Sequence, residues 1–300
     1  MANEKLELVE VSPRDGLQNE PDIVSTENKL ALIDHILAAG FRRLEAGSFV
    51  NPKKVPQMAD GDAVFASLPK RDDATFIALA LNLRGVERAL AAGAKEINYV
   101  FCASDGFSIR NNGGTVEETF RVWPQVAERT KAGGARLSAT ISTAFGCPFD
   151  GEVAVERLVA VAQLCAQQGI FELALADTIG VAAPKDVHER FRAIRGVAEG
   201  LQLRAHFHNT RNTALANAVA AVEEGVRVLD GSLGGIGGCP FAPGAAGNVP
   251  TEDLLYMFTR MGFDTGVDLD RAVDAAKFIG GVLGRATPGM VSRAPKWPSV

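Results

Sequence analysis

The 300-residue sequence contains little cysteine, no long apolar run and no excess of positive charge, and each shortage excludes a class of protein. It has no CxxC pair and far too few cysteines for a disulfide scaffold, so neither a zinc knuckle nor a stapled secreted fold is favoured. No apolar run is long enough for a membrane span, and the start MANEKLELVE has no apolar signal core. We therefore expect a soluble, cytoplasmic protein with reduced thiols and no membrane partner.

The charge balance excludes another group of partners. Lys and Arg number 31 against 36 Asp and Glu, which gives a net charge of −5. Such a chain has no broad attraction to nucleic acid, so any anionic substrate must be held by local charges. Aromatic residues make up only 7% of the chain, whereas hydrophobic residues make up 47%. Small aliphatic residues and glycine suit packing between helices and parallel strands.

Short apolar segments alternate with helical patterns along the chain, which is the βα rhythm of a parallel sheet. We predict an α/β fold, a (β/α)8 TIM barrel with additional C-terminal helices, as a single catalytic domain over residues 1–300. Candidate strands are Leu6–Val11, Arg43–Gly47, Thr75–Leu81, Glu96–Cys102, Arg136–Ser142, Phe171–Ala176, Leu203–His208 and Val226–Ser232. Candidate helices include Thr26–Ala39, Glu152–Gln168, Thr251–Met261 and Leu269–Leu283. An open doubly wound sheet is the alternative.

The placement of polar residues favours the closed barrel. Unusual polar groups lie at or just past predicted strand C-termini, where barrel active sites are assembled: Arg14, Asp15, Glu45, Asp177, His206 and His208. In His206-Phe207-His208 the strand alternation turns both imidazoles inward and Phe207 towards the helices. Two convergent imidazoles can bind a metal, although an isolated pair is as often merely hydrogen-bonded.

Two further segments carry candidate chemistry. Arg14 and Asp15 lie beside a glycine turn at the end of the first strand, where they form either a surface ion pair or a metal ligand with an oxyanion-stabilising cation. The segment from Gly231 to Asn248 is too rich in glycine for a helix or an ordinary strand and carries Cys239. We interpret it as a mobile active-site lid; the alternative is a surface connection.

Taken together, these segments resemble the 3-hydroxy-3-methylglutaryl-CoA lyase family. The matching stretches are PRDGLQNE, EAGSFVNPKKVPQMAD, GCPFDG, LADTIGV, HFHNT and GGIGGCPFAPGAAGNVPTEDL, and they cover nearly the whole chain in the family's order. The resemblance implies Mg²⁺ or Mn²⁺ held by Asp15, His206, His208 and Asn248. It also implies an acyl-CoA substrate, a homodimer and a role in leucine degradation.

The resemblance further assigns roles to individual residues. The catalytic set is Arg14, Asp15, His206, Cys239 and Glu45, and the substrate-binding set includes Arg14, Ser48 and Asp177. Within these sets Arg14 faces the thioester carbonyl, and Glu45 and Asp177 support the metal ligands. In a retro-Claisen cleavage, His206 or Asp15 takes the hydroxyl proton and the Cys239 thiol protonates the enolate carbon. For the coenzyme A phosphates, the chain offers Arg110 or the lysines Lys53 and Lys54.

The chain departs from the family pattern after the second histidine. The lyases typically continue with Asp-Thr-Tyr-Gly, whereas this chain has Asn209-Thr210-Arg211-Asn212. The change removes a carboxylate and adds a cation. It therefore leaves open which thioester is the substrate and whether Arg211 enters the acyl pocket. The loop SDGFSIRNNGG also differs from the usual one.

These motifs leave more than one activity open. The first is cleavage of 3-hydroxy-3-methylglutaryl-CoA to acetyl-CoA and acetoacetate, or of a related thioester such as citramalyl-CoA. The second is the condensing branch of the superfamily, which joins acetyl-CoA to a 2-oxo acid; the cysteine loop and the absence of a regulatory domain favour the lyase. A degenerate, non-enzymatic barrel is the third.

Overall fold

Eight parallel strands close into a barrel in the computed structural model, which describes residues 4–238 and 247–297. Each strand pairs with its neighbour in chain order, and the first pairs with the last through Glu7–Val228 to Glu10–Gly231. The predicted closed barrel is therefore confirmed, and the open sheet is wrong. The barrel strands are β2 (Glu7–Glu10), β3 (Arg43–Ser48), β4 (Thr75–Ala80), β5 (Glu96–Cys102), β6 (Arg136–Ser142), β7 (Glu172–Asp177), β8 (Gln202–Phe207) and β9 (Val228–Gly231).

Helices surround the barrel, and two of them follow the last barrel strand as predicted. Within the described residues they are α1 (Thr26–Ala39), α2 (Gly61–Ser67), α3 (Leu83–Ala91), α4 (Asp105–Asn111), α5 (Val116–Phe120), α6 (Trp123–Ala132), α7 (Val155–Ala166), α8 (Pro184–Ile194), α9 (Ala214–Glu223), α10 (Thr251–Arg260) and α11 (Leu269–Val282). A separate pair of short parallel strands, β1 (Glu4–Lys5) and β10 (Phe263–Asp264), joins the start of the described chain to the segment between α10 and α11. No helix among the described residues could cross a membrane.

Helix α1 shows how local sequence sets the element bounds. Ser25 accepts a hydrogen bond at its hydroxyl from the Asn28 N–H at 3.3 Å, which satisfies one of the free donors of the first turn. The helix ends at Gly40, whose φ of 107° lies in the left-handed region that favours glycine. The predicted span Thr26–Ala39 is thus confirmed at both ends.

The molecule has two interiors of different composition. A continuous apolar layer fills the space between strands and helices, with contributions from Leu32 and Ile36 of α1 and from Leu44 of β3. Inside the barrel, the buried apolar cluster consists of Val9, Val11, Ile77 and Val228 alone among the described residues. Charged side chains occupy much of the remaining barrel interior.

Arginines and carboxylates fill the part of this interior near the N-terminal ends of the strands. Arg43 pairs with Glu96 and, at 2.6 Å, with Glu172, and all three side chains are almost wholly buried. Arg204 of β8 lies 3.4 Å from Glu172 and is equally buried. At the rim of the barrel, Arg136 donates a hydrogen bond of 2.8 Å to Glu96. Because each buried charge has a partner, the network avoids the large cost of an isolated ion.

An aromatic cluster lies behind β5 on the helix side. The Trp123 ring is 4.9 Å from Phe101 in an edge-to-face arrangement and 5.3 Å from Tyr99. Phe101 also stacks on Phe120 at 3.9 Å. The Trp123 indole N–H donates to the Cys165 carbonyl at 3.2 Å, so helix α6 is fixed to α7 at this point.

Candidate active site

A tight turn after β2 positions the Arg14–Asp15 pair. Over Ser12–Gly16 the N–H groups of Arg14, Asp15 and Gly16 all point to the Val11 carbonyl, at 2.8 to 3.2 Å. Gly16 is required here because a Cβ would lie 2.7 Å from the Ser232 hydroxyl and 2.8 Å from Ile236. The turn therefore aims both charged side chains at the mouth of the barrel.

The two histidines meet Asp15 across the barrel mouth. His206 Nε2 lies 3.8 Å and His208 Nε2 3.6 Å from the same carboxylate oxygen of Asp15, Oδ2. The ligand atoms of the three residues lie within 4.8 Å of one another, which is close enough to share a metal ion. Phe207 points the other way, with its ring centroid 5.9 Å from that of Phe145. The predicted alternation of HFH is confirmed.

Asn248 joins this group from the other end of the glycine-rich segment. Its backbone pairs with His208 in an isolated bridge, and its Nδ2 donates to Asp15 Oδ2 at 2.8 Å. The side-chain oxygen Oδ1 is buried and has no hydrogen-bond partner among the described residues. A buried amide oxygen without a partner is costly unless something binds it, and amide, carboxylate and imidazole donors together suit a divalent cation. The four residues fit a metal.

Asp230 orients the His206 ring. Asp230 lies near the end of β9, and its Oδ2 is 3.0 Å from His206 Nδ1. This contact favours a proton on Nδ1, which leaves Nε2 free to bind a cation. Burial alone would lower the pKa of His206, but the bond to Asp230 and the charge of Asp15 raise it above its usual value. Burial and the neighbouring His206 lower the pKa of His208 to about 4, so that ring is neutral and a competent ligand.

Arg14 links the metal candidates to a second carboxylate. Its guanidinium contacts Asp15 and Glu45, and its Nε donates to Glu45 Oε2 at 2.7 Å. Asn98 donates to the other Glu45 oxygen at 2.7 Å. Burial alone would raise the pKa of both carboxyls, but Arg14 holds each below its usual value. The anionic pair fixes Arg14 in a position from which it can stabilise negative charge.

These groups lie in a cavity of about 600 Å³ that opens at the C-terminal ends of the strands. Its walls combine the polar groups of the barrel interior with apolar side chains. Besides Arg14, Asp15, Glu45, His206 and His208, the lining includes Leu79, Asn98, Val100, Phe107, Thr140 and Asp230. Lys54 and Arg110 lie at the same cavity, so both basic segments predicted for an anionic ligand reach it.

The remaining predicted residues have different surroundings. Both oxygens of Asp177 accept backbone N–H groups, from Val181 at 2.9 Å and Ala182 at 3.0 Å, so its carboxylate shapes the loop after β7. The register of β3 shifts between Glu45 and Gly47; beyond it, the buried Ser48 hydroxyl has no hydrogen-bond partner among the described residues, and Ser48 is not among the residues that line the cavity. Arg110 stacks 3.9 Å over the Phe149 ring. Cys239 lies outside the described residues.

The base of the glycine-rich segment is anchored by two buried carboxylates. Glu10 accepts the Leu233 N–H at 3.0 Å, and Glu252 accepts the Gly234 N–H at 2.9 Å. Burial raises the pKa of both carboxyls to about 7. These bonds hold the first residues of the glycine-rich segment, and the part of the predicted lid that carries Cys239 lies outside the described residues.

The altered stretch after His208 has a structural role here. Arg211 donates to the carbonyls of Gly180 at 2.8 Å and Ile179 at 3.2 Å, and so ties down the preceding loop. Asn209 accepts the Ala214 N–H at 3.2 Å at the start of α9. Asn212 has a φ of 58°, a left-handed conformation that Asn tolerates better than most residues. The turn after His208 thus has asparagine, and not glycine, at its left-handed position.

Sequence reasoning missed three residues of the site: Asp230, Asn98 and Arg204. Two of them lie two positions from another inward-facing residue of the same strand, and the third lies near a strand end. Arg204 precedes His206 by two and so shares its face of β8, and Asn98 shares a face with Glu96. Asp230 lies one residue before the end of β9. Strand alternation was thus the available signal.

The fold and the site together define a (β/α)8-barrel enzyme with a carboxylate–imidazole cluster at its C-terminal mouth. The family model HMGL-like matches residues 5–279, and the chain belongs to this family as a hydroxymethylglutaryl-CoA lyase-like carbon–carbon lyase.

Characterised relatives and a solved structure support this assignment along the whole chain. The (R)-citramalyl-CoA lyase of Chloroflexus aurantiacus is 42% identical over 99% of this chain and 97% of its own length. The 3-hydroxy-3-isohexenylglutaryl-CoA/hydroxymethylglutaryl-CoA lyase of Pseudomonas aeruginosa is 41% identical over 97% of each chain. An HMG-CoA lyase from Acinetobacter baumannii, solved with coenzyme A and 3-methylmalate, superposes with a TM-score of 0.94 at 39% identity, covering 99% of this chain and 97% of that one.

Proposed function

We propose that this chain is a divalent-metal-dependent lyase that cleaves 3-hydroxy-3-methylglutaryl-CoA to acetyl-CoA and acetoacetate. The observation that carries the proposal is the convergence of Asp15, His206 and His208 within 4.8 Å, beside Arg14 and at the floor of one cavity. Asn248 completes the metal ligands, and Mg²⁺ or Mn²⁺ suits this mixture of oxygen and imidazole donors. We also propose that residues 1–300 form a single catalytic domain and that the protein acts as a homodimer.

The reaction needs a base, a cation and an acid at separate points. The substrate loses its tertiary hydroxyl proton, the C2–C3 bond breaks, and the electron pair is left on the thioester enolate. The bound metal supplies Lewis-acid polarisation of the hydroxyl. Asp15 and His206 are the candidate bases; with Nδ1 bonded to Asp230, His206 could accept a proton only at Nε2, the atom that also faces the cation site, and Asp230 would stabilise the resulting imidazolium.

Arg14 has the charge and the setting to stabilise the enolate oxygen. It is held by Glu45 and Asp15 before substrate arrives, so its position costs no reorganisation during the reaction. The enolate carbon must then receive a proton, and the Cys239 thiol remains our proposed donor. Ser48, Asp177 and Arg110 remain proposed substrate contacts: Arg110 at the cavity, Ser48 through its free hydroxyl, and Asp177 through the loop that it holds.

Citramalyl-CoA is a second candidate substrate. The relative from Chloroflexus aurantiacus that acts on it is as similar to this chain as the hydroxymethylglutaryl-CoA lyase from Pseudomonas aeruginosa. Both thioesters carry a tertiary hydroxyl beside the scissile bond and a distal carboxylate, so the same cation and base would serve both. They differ in the length of the carboxylate-bearing acyl chain. Leu79, Asn98 and Thr140 line the cavity and would distinguish the two lengths by contact.

The test is acetyl-CoA release by the purified protein with Mg²⁺ or Mn²⁺ on a panel of these thioesters. We expect release from at least one member, loss of turnover on chelation, and recovery when metal is restored. His206→Gln should abolish release, whereas His188→Gln, which alters a histidine of α8 far from the cavity, should not. Release from no member would refute the proposal, and free thiol formed from acetyl-CoA plus a 2-oxo acid would support the condensing branch instead.

A further inference from the structure

We propose that Arg204 is a positioning residue for the reaction, holding from below the two carboxylates that orient Arg14 and His206. Arg204 lies on β8 two residues before His206, on the same inward face and one layer deeper in the barrel. Only 1% of the residue is exposed, so its charge is felt almost wholly inside the barrel. The proposal deepens the function proposed above and rests on it where turnover is measured.

The contacts of Arg204 divide between the two supporting carboxylates. Its Nε lies 3.5 Å from Asp230 Oδ1, and the other Asp230 oxygen is 3.0 Å from His206 Nδ1. Its Nη2 lies 3.9 Å from Glu45 Oε1, and the other Glu45 oxygen contacts Arg14. In each case one oxygen faces Arg204 and the opposite oxygen faces a group of the site. A shift of Arg204 would therefore move both groups together.

The action of Arg204 is mainly through its charge. Among the described residues neither Nε nor Nη1 has a hydrogen-bond acceptor, and the ion contacts of the side chain range from 3.4 to 3.9 Å. Its Nη2 donates to Thr140 at 3.3 Å, which fixes the plane of the guanidinium. A cation placed among three carboxylates without tight bonds lowers the cost of keeping all three ionised.

The charge balance of the barrel interior shows why this matters. Among the described residues, the connected network holds four arginines against six carboxylates: Arg14, Arg43, Arg136 and Arg204 against Glu7, Asp15, Glu45, Glu96, Glu172 and Asp230. A divalent cation at the Asp15 site would balance that difference. Without Arg204 an excess of negative charge would remain even with a divalent cation bound, and the supporting carboxylates would repel one another and turn away from Arg14 and His206.

Arg136 provides a matched comparison with a purely structural arginine. It bonds Glu96 in the same network, at 2.8 Å, but its ion contact is with Glu96 and not with Glu45 or Asp230. Its loss should therefore disturb the network without reaching the site. A difference between the two arginines separates positioning from general support of the fold.

The first measurement is turnover. We expect Arg204→Met to lower kcat by about 10- to 100-fold, the size typical of removing a supporting contact at a metal site, with little change in KM. Arg204→Lys should recover part of the loss because the charge is kept, and Arg136→Met should leave kcat near that of the parent. Asp230→Asn combined with Arg204→Met should cost less than the product of the two single effects. Fully multiplicative effects, or equal losses for both arginines, would overturn the proposal.

The second measurement does not depend on turnover. In metal-free protein labelled with ¹⁵N-histidine, the His206 ring N–H bonded to Asp230 should give an exchange-protected resonance that His206→Gln removes. We expect Arg204→Met to shift or erase this resonance and Arg136→Met to preserve it. An unchanged resonance in Arg204→Met would contradict the proposal even if no thioester were cleaved. If Arg204→Met does not fold, Arg204→Lys should show a smaller shift in the same resonance.

Discussion

The space between strands and helices and the space inside the barrel are built from the same eight strands, yet they differ in chemistry. On β5, Ile97, Tyr99 and Phe101 enter the apolar outer layer, whereas Glu96 and Asn98 enter the charged interior. Barrel interiors are usually filled by branched aliphatic residues, whereas among the described residues the apolar cluster inside this barrel has four members. The outer layer thus supplies most of the hydrophobic stabilisation, and the interior holds the charges that the reaction needs.

This division has a physical basis in the cost of burying charge. A charged interior is tolerated only when every ion has a partner, and such networks contribute little net stability compared with apolar packing. The outer layer is close-packed and contributes through burial of apolar area. Substitutions of similar size at the cavity end of the interior should therefore change function more than stability, and substitutions in the outer layer the reverse. Removal of one partner from a pair deeper in the barrel should cost stability as well.

The largest effect should come from the interior at Asp15. Asp15→Asn removes the carboxylate that both imidazoles and Arg14 face, so we expect kcat to fall by at least about 10³-fold and Mn²⁺ binding to be lost. Turnover on the active thioester and a metal titration would measure this. The unfolding midpoint should change far less, and a large loss of stability with metal binding intact would contradict the division.

The outer layer should show the opposite pattern at Phe101. Phe101→Ala removes a fully buried ring from the cluster with Phe120 and Trp123, and we expect a loss of about 3–5 kcal/mol in the free energy of unfolding. Urea denaturation would measure it. The folded fraction should retain a kcat close to that of the parent, and a fall of tenfold or more would show that the two interiors are coupled through β5.

Glu10 lies between the two regions, and its buried carboxyl should make the stability of the protein depend on pH. Burial raises its pKa from 4.5 to about 7, so between these values the folded protein keeps a proton that the unfolded chain has lost. Stability should therefore fall as pH rises through this window, by about 3 kcal/mol for this group.

Glu10→Gln should remove that fall while keeping the contacts. One oxygen of Glu10 accepts the N–H groups of Ser12 and Leu233, and the other accepts the Thr251 hydroxyl, which can rotate to accept from an amide instead. We expect the free energy of unfolding of the variant, measured by urea denaturation, to increase relative to that of the parent as the pH rises from 5 to 8. An equal difference at both pH values would show that Glu10 does not titrate in this range.

The smallest effect should arise at Asp230, which supports a ligand without binding the metal itself. Asp230→Asn keeps the size of the side chain but weakens its contact with His206 Nδ1. We expect a loss of about 10- to 100-fold in Mn²⁺ affinity, measured by calorimetry. A Mn²⁺ affinity within twofold of that of the parent would show that Asp230 does not orient the His206 ring for metal binding.

Much of this organisation follows from sequence alone. The βα rhythm predicts the bounds of all eight strands to within two residues at each end. For β5 and β6 the predicted first and last residues are those observed. The HFH alternation and the turn after β2 bring His206, His208 and Asp15 together as predicted. These predictions succeed because strand periodicity and a single tight turn are local properties.

Other features depend on contacts between distant parts of the chain. Asp177 ends a strand as an active-site residue would, but its phase on β7 turns the carboxylate towards its own loop. The sequence leaves open the destination of Arg211, because the carbonyls that it meets lie some thirty residues earlier. Arg204 and Asp230 gain their meaning only from pairing across strands. Register and partner choice cannot be read from one strand at a time.

The aromatic cluster behind β5 also gives the protein a built-in optical probe. The chain has two tryptophans, and Trp123 is 2% exposed whereas Trp297 is 66% exposed. Replacing Trp297 with Phe would leave a single emitter, packed on the strand whose opposite face carries Asn98 of the cavity. Its emission should move to longer wavelength only when the barrel wall opens, so fluorescence would follow the loss of the cavity wall directly.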